Sequence, residues 1–150
     1  MPHALNLTIP IKQDEATQKR LAQIAAEFPT KFQPKIDAAL KKSKIVHFAR
    51  VVNVHNKFLQ VITEYDGDHK AYTEFFRKEL PDVFAALFSL ADAPSFDKLN
   101  QEQFFQLSKS LNLRSLGETN LGESDDVGTA EGYLFAATGN KTVKDILAAG

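Results

Sequence analysis

The stretch KIVHFARVVNVHNKFLQVITEYDGD, residues 44–68, carries the strongest pattern in the chain. Two runs rich in β-branched and aromatic residues, KIVHFARVV and KFLQVITEY, flank the short segment NVHN, and this arrangement predicts a β-hairpin. Four polar side chains interrupt the apolar ones: His47, Arg50, Gln60 and Glu64. These side chains either line a ligand site or belong to the solvent-exposed face of a sheet.

The register of this hairpin decides which polar groups meet. One register places His47 on the same sheet face as Gln60 and Glu64. The other register places Arg50 there and leaves His47 beside Thr63 and Tyr65. A slip of one residue exchanges the two arrangements, so the sequence leaves both open.

Each register favours a different role for the polar residues. A His47–Glu64 pair would supply an acid/base group near neutral pH, with His47 and Glu64 as catalytic residues. Arg50 is a candidate for holding an anionic group, or for a structural ion pair with Glu64. The alternative is that His47 and Glu64 bond each other, or a partner subunit, and only stabilise the structure. Single polar residues on strands are common, and no nucleophile accompanies these two. The remaining candidates for substrate contact are Gln60, Tyr65 and Phe76.

The rest of the chain predicts alternating strands and helices around the hairpin. ALNLTIPIK alternates as a half-buried strand does, and a helical stripe runs from Asp14 to Phe28, where Pro29 stops or kinks it. A second helix covers roughly 34–42. After the hairpin, Asp68 is a candidate N-cap for a helix that Pro81 interrupts, and another helical piece follows. The last predicted elements are a helix in DKLNQEQFFQLSKSLNL, a Gly-rich loop over 116–132, a fourth strand YLFAATG and a terminal helix TVKDILAA.

Size and composition predict one globular domain, residues 1–150. The chain has 43% hydrophobic and 25% charged residues and a net charge of −1, so no global field would recruit nucleic acid. It has no Cys, which excludes disulfides and thiolate chemistry. No apolar stretch reaches the ~20 residues that cross a bilayer, and the N-terminus lacks a signal-peptide pattern, so we predict a cytoplasmic protein without membrane contact.

The element order β–α–β–β–α–(α)–β–α predicts an α+β fold of the ferredoxin-like type, with an antiparallel sheet and helices on one face. The strands IVHFARVV and FLQVITEYDGD and the aromatic helix AYTEFF resemble those of the dimeric α+β barrel superfamily. That resemblance implies a homodimer in which two sheets close into a barrel. The helix and Gly-rich loop over 95–132 would be additions to this fold.

The resemblance also implies a range of functions. The superfamily includes cofactor-free monooxygenases, haem-degrading oxygenases, chlorite dismutases, dye-type peroxidases and small isomerases, which suggests an enzyme acting on a small, largely apolar molecule. The alternative is a non-catalytic binding or accessory subunit of a partner enzyme. Haem would need an axial His on a helix, and His69, the one helical candidate, matches poorly. The segment DGDH lacks the remaining ligands of a metal site. His3 and His55 are expected to be exposed.

Overall fold

A computed structural model describes residues 2–118 and 132–149, which form a mixed α+β fold with a three-stranded antiparallel sheet. In chain order the elements are β1 (Pro2–Pro10), α1 (Glu15–Glu27), a π-helical turn (Phe28–Phe32), α2 (Gln33–Ser43), β2 (Val46–Val54), β3 (Phe58–Asp66), α3 (His69–Glu79), α4 (Pro81–Phe88), a 3₁₀ turn (Phe96–Lys98), α5 (Gln101–Leu111) and α6 (Val143–Ala149). The α+β class and the central hairpin are therefore confirmed. The cytoplasmic location stays a prediction.

The sheet has the order β1-β3-β2, with β3 in the centre. In the hairpin, Val51 lies opposite Val61 and Arg50 lies opposite Ile62. The register shifts between Val46 and Phe48, so His47 is an extra residue in a β-bulge. Because of this register, Arg50 belongs to the sheet face that carries Gln60 and Glu64, which is the second of the two arrangements that the sequence left open.

The core lies between one face of the sheet and the helices. Alternate residues of β1 and β3 are buried there, as the sequence pattern of β1 predicted: Leu5, Leu7, Ile9, Leu59, Val61, Thr63 and Tyr65. Four Phe rings from α4, the 3₁₀ turn and α5 pack against one another with centroids 5.1–6.4 Å apart: Phe84, Phe88, Phe96 and Phe104. These rings fill space in the core, and of the four only Phe84 also lines the cavity described below.

Local signals in the sequence position the helices as expected. The Asp14 carboxylate accepts from the backbone N–H of Thr17, and the Asp68 carboxylate accepts from that of Ala71, so both cap helix N-termini. The Thr17 hydroxyl also donates to the Asp14 carboxylate at 2.6 Å, and this bond and the backbone bond lower the pKa of Asp14. Pro29 lacks a backbone N–H and lies in the π-helical turn that separates α1 from α2.

The predicted fourth strand is wrong. Residues 132–136 have no regular secondary structure, and residues 137–140 form a turn. The free edge of β1, where such a strand would pair, is occupied by the segment after α5: the side chain of Asn112 accepts from the N–H of Asn6, and the N–H of Leu113 donates to the carbonyl of Asn6. Residues 119–131 of the predicted Gly-rich loop lie outside the described residues. Among the helices of the described ranges, none has the length and apolar character to cross a membrane.

Candidate functional site

A cavity of about 630 Å³ lies between the helix-covered face of the sheet and α2, α3 and α4. Its volume falls within the 300–1,000 Å³ that small-molecule sites usually have. Apolar side chains from strands and helices dominate its wall, among them Ile36, Leu40, Val51, Val61, Phe84 and Leu87. A small, largely apolar molecule fits such a wall by size and by polarity.

Helix α2 leaves this space open. Its inward side chains, Ile36, Ala39 and Leu40, are half-buried, and none of its residues is fully buried. On the opposite wall, Ala49 of β2 presents a single methyl group to the cavity. Since protein interiors are normally close-packed, the space between α2 and the sheet is a gap in the packing that a small molecule could fill.

One polar side chain lies deep in the apolar wall. Thr63, on the central strand, is 2% exposed, and its Oγ1 has no hydrogen-bond partner among the described residues. The hydroxyl of Tyr72, 1% exposed, also lacks one in that part of the chain. Burial raises the pKa of Tyr72 well above its ordinary value, the neighbouring Thr63 hydroxyl opposes this, and the charge of Glu64 adds to it. Tyr72 therefore stays protonated.

The mouth of the cavity is basic. Asp37, Lys41, Lys44 and Arg50 line the cavity, and all four are exposed. Arg50 belongs to the other face of the sheet, but β2 is an edge strand and the lining of the cavity extends around that edge. Lys41 forms an exposed ion pair with Asp37 at 3.4 Å. The two other cations leave an excess of positive charge where a ligand would enter. This distribution favours a molecule whose outer end is anionic.

His47 lies at the same cavity, and its carboxylate partner is Asp66. The Nε2 atom of His47 lies 2.8 Å from Oδ1 of Asp66, with side-chain exposed fractions of 8% and 10%. The other carboxylate oxygen, Oδ2, accepts from the backbone N–H of Val143 at 2.8 Å, which ties the start of α6 to the sheet. The sequence analysis considered Asp66 only within the segment DGDH, as part of an incomplete set of metal ligands. The sequence did contain a signal for the His47–Asp66 contact. Asp66 follows Glu64 by two residues, so both side chains lie on the same face of β3 and either could have been the partner of His47.

Glu64 forms no hydrogen bond with His47 among the described residues, so the structure does not have the His47–Glu64 pair, which was one of the two arrangements that the sequence left open. The β-bulge at His47 turns its ring towards Asp66 instead. Partial burial raises the pKa of Glu64, and the nearby Arg50 and His47 lower it in part. Within the described part of the chain, Arg50 and Glu64 form no ion pair within 4 Å, so the structural ion pair is not present either.

The three other candidates lie in different places. Gln60 is on the sheet face opposite the cavity and donates to the Thr8 hydroxyl at 3.2 Å. Tyr65 is buried and stacks on Tyr72 with centroids 4.0 Å apart, outside the cavity lining. Phe76 does line the cavity. The structure thus brings His47, Arg50 and Phe76 together at the cavity and places Gln60 and Tyr65 away from it.

The other histidines lie outside the cavity lining. His69 is 4% exposed, with Nε2 3.2 Å from the Ser108 hydroxyl and its ring edge-on to Phe105. It lies between α3 and α5 rather than at the cavity, so it does not fit as an axial ligand for a haem bound there. His55 is exposed as predicted, whereas His3 is half-buried in β1, so its predicted exposure is wrong.

No group of three or more His, Asp or Glu residues within the described ranges is arranged to hold a metal ion. Comparisons with protein-family models, with curated proteins and with solved structures found no match to this chain. The resemblance to the dimeric α+β barrel superfamily therefore rests on the residues of the hairpin and of α3.

Proposed function

We propose that this protein binds a small, largely apolar molecule in the cavity between α2 and the sheet. The observation that carries the proposal is the cavity itself: about 630 Å³ of space with an apolar wall in a chain that otherwise packs its aromatic residues tightly. A gap of this size leaves its wall without close protein contacts, and a ligand that fits it gains dispersion contacts there. A non-catalytic binding or accessory role requires only such a cavity and no reactive side chain.

The basic mouth supports an anionic group on that ligand. Arg50 lines the mouth without an ion-pair partner within 4 Å among the described residues, and Lys44 lines it too. A guanidinium recognises a carboxylate in a two-pronged geometry that water replaces poorly. We infer that Arg50 contacts the ligand from the mouth, as the sequence suggested.

A second candidate function is catalysis, favoured by the His47–Asp66 contact at the cavity. Because a carboxylate only accepts, the neutral His47 ring donates its Nε2 hydrogen to Asp66 and keeps a lone pair on Nδ1. Such a ring can take a proton from a bound molecule at Nδ1, with Asp66 rather than Glu64 as the orienting group. The oxygenase, peroxidase-like or isomerase reaction type follows from the family resemblance alone.

A ferredoxin-like arrangement of the three strands, without the predicted fourth strand, and a homodimer belong to the same proposal. The strand order β1-β3-β2 with helices on one face supports it, as does Phe48, a large apolar side chain that is 77% exposed on the outer strand β2. Sedimentation equilibrium of the purified protein should give twice the mass of one chain. A single-chain mass at micromolar concentration would overturn the dimer.

Filling the cavity tests the binding function. The neutral fluorophore N-phenyl-1-naphthylamine should bind the protein with enhanced fluorescence, and Ala49→Phe should abolish this by placing a ring in the cavity. Val54→Phe is the matched control, because Val54 lies on the same strand outside the cavity lining. Binding that survives Ala49→Phe, or that Val54→Phe removes equally, would contradict the proposed site.

A further inference from the structure

We propose that helix α6 completes the ligand site, with the Leu147 side chain packing on the bound molecule, so that ligand binding and the docking of α6 stabilise each other. This inference rests on the proposed binding function and adds a contact residue and a coupled helix to it. It goes beyond that function, because the apolar wall formed by the sheet and by helices α2, α3 and α4 would hold a small molecule without α6.

Helix α6 turns its apolar side to the cavity. Its larger apolar residues, Val143, Ile146 and Leu147, follow the spacing i, i+3 and i+4, which places them on one side of the helix. Two of the three, Val143 and Leu147, belong to the cavity lining. The apolar side of α6 therefore faces the space in which a ligand would lie.

The protein covers this apolar side of α6 incompletely. No residue of α6 is buried, and Leu147 is 60% exposed. Single exposed leucines are common on protein surfaces, but Leu147 also borders a cavity of about 630 Å³. A ligand that reaches this end of the cavity covers apolar surface of Leu147 that the chain leaves in water, and such burial is favourable.

The bonds that hold α6 are at its N-terminal end. The N–H of Thr142 donates to the Asp145 carboxylate and the N–H of Asp145 donates to the Thr142 hydroxyl, each at 3.1 Å. The N–H of Val143 donates to the Asp66 carboxylate at 2.8 Å. Helix α6 has seven residues, and isolated helices of this length are unstable in water. A ligand at Leu147 would therefore stabilise the turn of α6 that is farthest from these bonds.

The coupling between ligand and helix acts in both directions. If the bound ligand stabilises docked α6 by some factor, docked α6 tightens ligand binding by the same factor. The exposed part of Leu147 sets the size of this factor, since it is the surface that the ligand covers. Covering most of that surface changes a dissociation constant about threefold to tenfold.

The variant Leu147→Ala tests the contact, because it shortens an exposed side chain and keeps a residue that favours helix formation. In a fluorescence titration, N-phenyl-1-naphthylamine should bind this variant about threefold to tenfold more weakly than the wild-type protein. Leu113→Ala is the matched control, because Leu113 is 53% exposed and lies outside the cavity lining. The control should bind the fluorophore as the wild-type protein does.

Hydrogen exchange in the wild-type protein measures the same coupling without a substitution. With saturating fluorophore, the amides of residues 146–149 should exchange about threefold to tenfold more slowly than without it. The amides of α5 serve as the reference, because no residue of α5 lines the cavity, and their exchange should slow less.

The outcomes separate this inference from the binding function. If the fluorophore does not bind the wild-type protein, the binding function fails, and the inference fails with it. If the fluorophore binds, but Leu147→Ala binds it no more weakly than Leu113→Ala does, the inference alone fails. It also fails alone if bound fluorophore leaves the exchange of residues 146–149 unchanged.

Discussion

Replacing Asp66 with alanine tests how the His47 ring and helix α6 are held, because one carboxylate bonds to both. Its Oδ1 is 2.8 Å from Nε2 of His47, and its Oδ2 accepts from the N–H of Val143 at 2.8 Å. The variant removes both contacts without adding bulk. It also leaves the largely buried Nε2 atom of His47 without its Asp66 partner.

The two contacts contribute differently to the free energy of unfolding. The His47–Asp66 contact is largely buried, and a hydrogen bond to a charged group contributes about 1.5–3 kcal/mol. Helix α6 has no buried residues, so water replaces the carboxylate at Val143, and the loss there is of the size of a missing N-cap, about 0.5–1 kcal/mol. Asp66→Ala should therefore lower the free energy of unfolding by about 2–4 kcal/mol.

Urea denaturation at pH 7 measures this loss, and hydrogen exchange reports on α6 separately. The amides of residues 143–149 should exchange faster in Asp66→Ala, while those of the β1–β3 pairing change only with global stability. Asp82→Ala is the matched control: Asp82 forms an ion pair with Lys35 at 3.3 Å, but both side chains are exposed. An exposed pair contributes about 0.2–1 kcal/mol. If Asp66→Ala costs no more than Asp82→Ala, or if exchange in α6 is unchanged, the assigned role of Asp66 is wrong.

Two further predictions concern the charged and catalytic candidates. Partial burial raises the pKa of Glu64, so its ionisation disfavours the folded state and stability falls as the pH rises from roughly 4, the ordinary range of a glutamate, through the higher folded value. Glu64→Gln should therefore be more stable than the wild-type protein at pH 7 in urea melts, with a difference that shrinks towards pH 4; a less stable variant at pH 7 would show that the charge is stabilising. For catalysis, His47→Gln should abolish turnover of whatever molecule native mass spectrometry finds bound, while N-phenyl-1-naphthylamine still binds. Full turnover in His47→Gln would show that His47 is not the catalytic residue.

Much of the local structure follows directly from short stretches of sequence. The β-hairpin, the caps at Asp14 and Asp68 and the helix break at Pro29 depend on residues within a few positions of one another. Periodicity, N-cap chemistry and the missing N–H of proline act at that range, so the chain itself shows where these elements begin and end. The strand predicted in YLFAATG shows the limit of this reasoning. A strand needs an edge to pair with, and the edge of β1 was taken by residues around Asn112.

The candidate site was predictable only in part, since most of its groups meet through tertiary contacts. The sequence by itself determined that His47, Arg50 and Glu64 all lie on the strands of one central hairpin. Only the tertiary structure decided that a β-bulge turns His47 to Asp66, and that the N–H of Val143 comes to the same carboxylate from 77 positions away. The cavity is of the same kind, because its size depends on how far α2 is held from β2, and no local sequence signal encodes the distance between two packed elements.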